Sequence, residues 1–243
     1  LNMRLIVTRP LEDARALGRR LEAAGHEVIV APLLSIRPVG DPAIPERAYQ
    51  AVLITSANGV RALDGHPALE RLKGAVALVV GPASAAAAAG AGFVRIAQAD
   101  GDVAALVRTA IATLRPGNGP LLHVSGAVTA GDLASDLEAS GFEVDRVVTY
   151  EASPVEALPE PCAAALKAGA ADGVLLYSPR TARIWAALVA DAGLAPAAVR
   201  VVHYCLSDNV ADMVRSRLGT GVAVEVASRP DEAALIETIP KPA

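Results

Sequence analysis

The chain has 243 residues, of which 53% are hydrophobic, 20% charged and 3% aromatic, and its formal net charge is −4 at pH 7. This apolar content is enough to build buried cores and excludes an intrinsically disordered chain, and the slightly acidic balance without a basic stripe argues against a nucleic-acid partner. No apolar run reaches the length of a membrane span and the N-terminal segment has no secretory signal pattern, so we expect a cytoplasmic protein.

Short apolar stretches recur along the chain, and amphipathic segments rich in Ala, Leu and Arg lie between most of them. The predicted strands are 5–7, 28–31, 52–54, 76–80, 94–97, 121–124, 144–149, 174–177, 199–204 and 222–226. Most of these stretches are apolar on both faces and alternate with helical segments. They therefore predict parallel sheets covered by helices, which is a doubly wound α/β fold.

Two pairs of strand-to-helix turns repeat within the sequence. Ser56 and Ser178 each end an apolar stretch and open an amphipathic one, and they lie 122 residues apart. Ser84 and Ser207 follow similar stretches and lie 123 residues apart. A near-constant offset indicates a repeated unit. A third echo, between 5–7 and 121–124, has a different offset, which is explained if one half of the chain is inserted into the other.

Two proline-rich connectors, 36–45 and 150–161, bracket the predicted insertion. We therefore predict a discontinuous first α/β domain, 1–37 with 153–243, and an inserted second domain, 38–152, joined by a two-segment linker. A flavodoxin-like strand order is predicted for both domains. Ligands of such sheets bind beyond the carboxyl ends of the strands, where the serine turns lie.

Motifs for several common chemistries are absent from the sequence. We find no Gly-x-Gly-x-x-Gly fingerprint after a strand, no Walker loop and no Gly-x-Ser-x-Gly elbow. The histidines and cysteines lack the spacing of metal ligands or of a disulfide framework, and we expect the histidines to be structural. These residues are His26, His66, His123, His203, Cys162 and Cys205. The sequence therefore predicts no metal and no nucleotide cofactor.

Short motifs follow one another at 7–10, 55–60, 80–85, 100–102, 141–144, 148–150, 177–182 and 228–235. In this order and spacing the chain resembles the uroporphyrinogen-III synthase family over nearly its whole length. The resemblance implies two interlocked α/β domains with the substrate between them, no cofactor, and a monomer. It also implies a reaction: the linear tetrapyrrole hydroxymethylbilane loses its hydroxyl as water and closes, with ring D inverted, to uroporphyrinogen III.

The resemblance and the serine turns together define a candidate site. Tyr150 matches the family tyrosine that follows a valine-rich strand, and it is the candidate catalytic residue because a phenol can donate a proton to a leaving hydroxyl. A half-buried aromatic at a strand end is the alternative explanation of Tyr150. Backbone N–H groups at helix starts and arginine side chains are candidates for holding substrate carboxylates. The candidate substrate-binding residues are Arg9, Ser56, Asn58, Gly81, Ser84, Ser125, Gly126, Ser178, Arg180 and Ser207.

Three alternatives stay open at this point. Helix capping alone explains each serine, although capping is compatible with ligand contact. A two-lobed α/β protein that binds a small anion without catalysis also fits the chain, against which stand the missing export signal and the position of Tyr150. A nucleotide-sugar transferase with two Rossmann-like lobes is disfavoured because no Gly-rich phosphate loop is present.

Overall fold

A computed structural model of the chain describes residues 2–99, 102–129 and 131–241. Asp100 and Gly101, which belong to the motif at 100–102, lie outside the described residues. The chain divides into two compact units, Leu1–Ser35 with Ser153–Ala243 (unit 1) and Ile36–Ala152 (unit 2). Within the described residues, no helix has both the length and the apolar character needed to cross a membrane.

Strands and helices alternate through most of the chain. The strands are β1 (Arg4–Val7), β2 (Glu27–Val30), β3 (Leu34–Pro38), β4 (Ala51–Ile54), β5 (Val76–Val80), β6 (Ile96–Ala99), β7 (Leu121–Gly126), β8 (Val144–Pro154), β9 (Gly173–Leu176), β10 (Val202–Cys205) and β11 (Val224–Val226). The helices are α1 (Leu11–Ala23), α2 (Ala57–Arg61), α3 (Ala68–Leu72), α4 (Gly81–Gly90), α5 (Val103–Thr113), α6 (Leu133–Glu138), α7 (Glu160–Lys167), α8 (Pro179–Asp191), α9 (Ala195–Ala198), α10 (Asp208–Leu218) and α11 (Glu232–Glu237).

Unit 1 is built on a parallel sheet with the strand order β11-β10-β9-β1-β2. Both faces of its central strands are buried, because successive side chains point to opposite sides of a strand. Leu5 and Val7 pack with α1 and α11 on one face, whereas Ile6 packs with α7, α8 and α10 on the other. The apolar stretches of the sequence thus become the middle layer of a three-layer α/β arrangement.

Unit 2 is built in the same way, on the strand order β3-β8-β7-β4-β5-β6, in which β8 to β6 run parallel. Val52 and Ile54 of β4 pack with helices α2, α3 and α4, and Leu53 packs with α5 and α6 on the opposite face. The predicted α/β class with parallel sheets is confirmed. The flavodoxin-like strand order, 2-1-3-4-5, stays a prediction. The strands of unit 1 have this order when they are numbered along the chain. In unit 2 the parallel strands have it only when β7 is numbered first, followed by β8, β4, β5 and β6.

The first predicted linker begins inside strand β3, and the second begins in the second half of β8. Hydrogen bonds from Val155 N to Leu33 O and from Val39 N to Thr149 O connect these segments. The residue number rises from 33 to 39 on one segment while it falls from 155 to 149 on the other, so the two segments run antiparallel. The sequence missed β3 because Arg37 and Pro38 interrupt its apolar pattern. A proline is tolerated there because β3 lies at the edge of the sheet, where a lost N–H breaks no ladder bond.

Candidate functional site

Most of the predicted site residues lie at the carboxyl edge of the sheet in their own unit. In unit 2, Ser56 follows β4, Gly81 follows β5 and Gly126 ends β7, and the register of these parallel strands brings their ends to one edge. In unit 1, Arg9, Ser178 and Ser207 come just after β1, β9 and β10 in the same way. This is the edge at which open α/β sheets bind ligands.

A cleft of about 400 Å³ opens at this edge of unit 2. It lies beyond the ends of β4 and β7 and beside the start of α6. The lining residues that bear on function are Ser56, His123, Gly126, Asp132, Arg146 and Tyr150. Of the predicted site residues, Ser56, Gly126 and Tyr150 are therefore brought together, and His123 and Arg146 join them.

Tyr150 is placed in this cleft by an irregularity in β8. Ser125 pairs with Val148 but Gly126 pairs with Tyr150, so β8 carries one extra residue at this point. Such bulges bend a strand and re-aim its side chains. The Tyr150 ring lies directly over Gly126, because a Cβ on that glycine would stand 2.8 Å from the ring Cζ. The backbone is fixed as well, since Ala127 N donates to Tyr150 O at 2.9 Å.

Arg146 is a cleft residue that the sequence did not single out. Its Nε donates to Ser125 Oγ at 3.1 Å and its Nη2 donates to Gly126 O at 3.0 Å. Ser125 is buried, with 1% of its surface exposed. Its hydroxyl also donates to Val147 O at 3.4 Å. Ser125 thus orients the guanidinium, and its contact with substrate stays a prediction.

His123 was expected to be structural, and it lies at the base of the cleft. Only 3% of its surface is exposed, and neither ring nitrogen has a hydrogen-bond partner among the described residues. Burial, together with the charge of Arg146, lowers the pKa of His123 to about 4, so the imidazole is neutral at pH 7. A neutral imidazole has one N–H donor and one acceptor to offer. Leaving both unpaired is costly, which makes His123 a candidate for contact with a ligand in the cleft that it lines.

The turn after β4 is held by short polar contacts. Ser56 caps α2, and its Oγ accepts from Asn58 N at 3.3 Å, while Asn58 Oδ1 accepts from Arg61. Thr149 Oγ1 donates to Gly59 O at 3.0 Å and so ties α2 to β8. Asn58 is buried and stabilises the turn, and its contact with substrate stays a prediction. Ser56 is half-buried and lines the cleft.

The prediction that a helix begins after Ser84 is wrong. Helix α4 already begins at Gly81, so Ser84 lies inside its first turn and is buried, with 3% of its surface exposed. The reason is the backbone of Gly81, whose φ of +75° turns the chain from β5 straight into the helix. A residue with a side chain adopts this conformation only with strain.

Arg9 in unit 1 is engaged by carboxylates. Its Nη1 donates to Glu232 at 2.7 Å, its Nη2 donates to Asp13 at 2.9 Å, and its guanidinium lies 4.7 Å from the centre of the Tyr177 ring. Glu232 also accepts from Arg20. These contacts fasten α1 and α11 to the ends of β1 and β9. They give Arg9 a structural role, and its contact with substrate stays a prediction.

The other predicted residues of unit 1 stand at helix starts. Ser178 caps α8, with its Oγ accepting from Thr181 N at 3.1 Å. Arg180 follows in the first turn and is half-buried. Ser207 occupies the cap position of α10, where the described residues show no side-chain bond to the helix. Asp208 comes next and places a negative charge in the first turn, which disfavours an anion there.

Comparison with known proteins identifies the family. The family model described as uroporphyrinogen-III synthase HemD matches residues 15–237. The chain belongs to the uroporphyrinogen-III synthase family. A comparison with curated protein sequences gave no significant match.

Solved structures of uroporphyrinogen-III synthases share the fold. The structure of the uroporphyrinogen-III synthetase from Helicobacter pylori is 14% identical, covers 98% of this chain and 97% of its own, and gives a TM-score of 0.63. A mutant uroporphyrinogen III synthase from the extremely thermophilic bacterium Thermus thermophilus is 20% identical, covers 97% of this chain and 96% of its own, and gives a TM-score of 0.51. Family membership makes this chain an enzyme of tetrapyrrole biosynthesis with a small-molecule tetrapyrrole substrate.

Two other features of the chain bear on its chemistry. Across residues 2–99, 102–129 and 131–241, no group of three or more His, Cys, Asp or Glu side chains is placed to hold a metal ion. Cys162 and Cys205 are both buried, and burial raises the pKa of each thiol to about 12. Neither thiol therefore forms the reactive thiolate at neutral pH.

We expect Glu232→Ala to destabilise unit 1 by about 1–2 kcal/mol, because Arg9 and Arg20 both lose their shared carboxylate while Arg9 stays half-buried. Urea unfolding followed by circular dichroism measures the change. Glu237→Ala, an exposed position on the same helix, is the matched control and should change stability by less than about 0.5 kcal/mol. Equal effects of the two substitutions would show that the carboxylate bridge carries no stability.

Proposed function

We propose that this enzyme cyclises hydroxymethylbilane to uroporphyrinogen III with Tyr150 as the proton donor to the leaving hydroxyl. The observation that carries the proposal is the position of Tyr150, which lines the cleft at the carboxyl edge of the unit 2 sheet. No hydrogen bond of its hydroxyl occurs within the part of the chain that the structure describes, which leaves the phenol open to a ligand in the cleft. A phenol retains its proton at pH 7 and can pass it to a departing oxygen.

The chemical step places specific demands on the protein. Protonation of the terminal hydroxyl releases water and leaves an azafulvene-like cation on ring A. The substituted carbon of ring D then attacks the cationic methylene and gives a spirocyclic pyrrolenine, which reopens and recloses with ring D inverted. The closing ring D carbon loses a proton, which balances the proton given to the leaving hydroxyl and restores the phenol. No net oxidation or group transfer occurs, so the reaction needs no cofactor. The protein must fold a flexible chain and exclude water, which are contributions of orientation and enclosure.

We propose that the acetate and propionate groups of the substrate bind at the carboxyl edges of the sheets. Backbone N–H groups at helix starts favour anions, and the turns at Ser56 and Ser178 offer them. Ser207 is the weakest of these candidates, because Asp208 follows it in the first turn of α10. Gly81 contributes a turn without a side chain, which lets a ligand approach the backbone closely. Arg180 adds a positive charge in the first turn of α8. We also propose that the enzyme is a monomer, that it acts in the cytoplasm and that it has no nucleic-acid partner.

The product isomer tests this function. With freshly prepared hydroxymethylbilane, we expect the enzyme to give an excess of the type III isomer, whereas closure in buffer without inversion gives type I. Separation of the oxidised porphyrins by chromatography measures the ratio. A type I product at the rate of the buffer control would overturn the proposal. Saturable binding of the substrate without any type III isomer would instead indicate the non-catalytic anion-binding alternative.

A further inference from the structure

Three side chains on strands β7 and β8 converge on the cleft of unit 2. His123 and Arg146 are direct partners in the parallel register, and Ser125 lies two residues beyond His123. Register partners and residues two apart project from the same face of a sheet. His123, Ser125 and Arg146 therefore share the face that looks toward α6, and Tyr150 lies at the end of the same cleft.

The guanidinium of Arg146 is oriented by neutral groups only. Its partners are Ser125 Oγ, Gly126 O and, at 3.4 Å, Ala127 O. No carboxylate of the described residues comes within 4.0 Å of it. The acid that lines the cleft is Asp132, whose Oδ1 accepts from Ser135 N at 3.2 Å as the cap of α6. This capping bond and, to a smaller extent, the charge of Arg146 lower the pKa of Asp132. Nη1 makes no hydrogen bond to the described residues, so one edge of the fork is available to an anion.

The imidazole of His123 adds a second, independent indication of a ligand. It has only 3% of its surface exposed, lines the cleft, and has both nitrogens without a protein partner in the described ranges. Buried polar atoms are nearly always hydrogen-bonded in native proteins. An occupant that accepts from the N–H of His123 and from Arg146 would pair one nitrogen of the imidazole and the open edge of the guanidinium.

We propose that Arg146 and His123 form a carboxylate subsite in unit 2, which binds one acetate or propionate arm of the substrate next to Tyr150. The proposal rests on the proposed function for the identity of that substrate. Arg146 supplies the charge-assisted hydrogen bonds, His123 donates its N–H from the base of the cleft, and Ser125 fixes the direction of the guanidinium. The subsite places the reacting end of the chain beside the phenol.

Kinetics provide the first test. A carboxylate held equally before and during the reaction contributes to KM and not to kcat. We expect Arg146→Ala to raise KM for hydroxymethylbilane by about 10–100-fold, the range for a lost charge-assisted hydrogen bond, with kcat within about twofold. Ser125→Ala should raise KM by a smaller factor of about threefold, because the guanidinium stays but loses its orientation. Arg108→Ala, an exposed arginine on α5, is the charge-matched control and should leave KM unchanged.

A binding measurement tests the subsite without turnover. The probe is a monopyrrole that carries one acetate and one propionate arm, added to enzyme with ¹⁵N-labelled histidine. We expect a saturable shift of the His123 ring nitrogens in the wild type, loss of that shift in Arg146→Ala, and no shift with the diester of the same pyrrole. A His123→Leu variant should fold with an undiminished Tm and bind the probe more weakly, because leucine fills the space but cannot donate.

The outcomes separate the subsite from the function. If Arg146→Ala folds and changes KM by less than about twofold, or the probe leaves the His123 nitrogens unmoved while the enzyme makes the type III isomer, the subsite is overturned and the function stands. If the probe shifts His123 in an Arg146-dependent way but no type III isomer forms, the subsite stands and the proposed function fails.

Discussion

Replacing Tyr150 with phenylalanine is expected to lower kcat by about 100-fold or more, the usual scale of a lost general acid, while the protein stays folded. The substitution removes only a hydroxyl that makes no hydrogen bond within the described residues. The ring keeps its place over Gly126, and the main-chain bond from Ala127 N is unaffected. Steady-state kinetics with hydroxymethylbilane measure the change, and the unfolding midpoint in urea verifies the fold.

Tyr49→Phe is the matched control for this substitution. Tyr49 is also in unit 2, but it precedes β4, and its hydroxyl donates to Asp145 Oδ2 at 2.7 Å. Its loss should cost about 1 kcal/mol of stability and leave kcat unchanged. A folded Tyr150→Phe enzyme that keeps its kcat would remove the phenol from the mechanism, and the substrate hydroxyl would then leave with a proton from another source.

Gly126→Ala tests whether catalysis needs the phenol of Tyr150 in its observed position, because the variant keeps the hydroxyl but displaces the ring. The added methyl group would stand 2.8 Å from Cζ of Tyr150 and 3.0 Å from its hydroxyl oxygen, so the ring must move. We expect kcat to fall although the phenol is retained. If both substitutions act on the same proton transfer, the double variant should be little worse than Tyr150→Phe alone. Additive losses would indicate that Gly126 acts separately, for example by contacting the substrate through its backbone.

The sequence predicts those site residues that directly follow the end of one strand. A buried apolar run followed by a serine and a helical pattern locates a turn at the carboxyl edge of a sheet, which is how Ser56 and Ser178 were found. Ser84 shows the limit of this reasoning. Its helix begins three residues earlier because Gly81 adopts a positive φ, and a glycine in a sequence does not reveal its backbone conformation.

The cleft residues that were missed depend on pairing between strands. Arg146 lies 21 residues from Ser125, and the two meet only because β7 and β8 pair in a particular parallel register. A shift of one residue would turn Arg146 to the opposite face. His123 appears in the sequence as one polar residue in an apolar strand, a pattern from which we expect a structural histidine. The lack of partners for both of its nitrogens is what supports the ligand-binding role proposed above, and only the structure contains that observation.

The core of unit 1 depends most on Trp185, and we expect Trp185→Ala to destabilise the protein by about 3–5 kcal/mol. The side chain is fully buried in the cluster formed by α7, α8 and α10 against the sheet. Its Nε1 donates to Nε2 of His203 at 3.2 Å. Burial lowers the pKa of His203 to about 4, so at pH 7 the ring is neutral and able to accept this bond.

The Trp185→Phe variant separates the hydrogen bond from the packing. Phenylalanine keeps most of the buried ring but leaves His203 without its donor, at a cost of about 1–3 kcal/mol for an unpaired buried group. The alanine variant adds the cavity to that cost, so the difference between the two variants measures packing alone. Urea unfolding at pH 7 gives both values. If phenylalanine were as stable as tryptophan, the indole–imidazole bond would make no net contribution, and the cluster around α8 would be held together by apolar burial only.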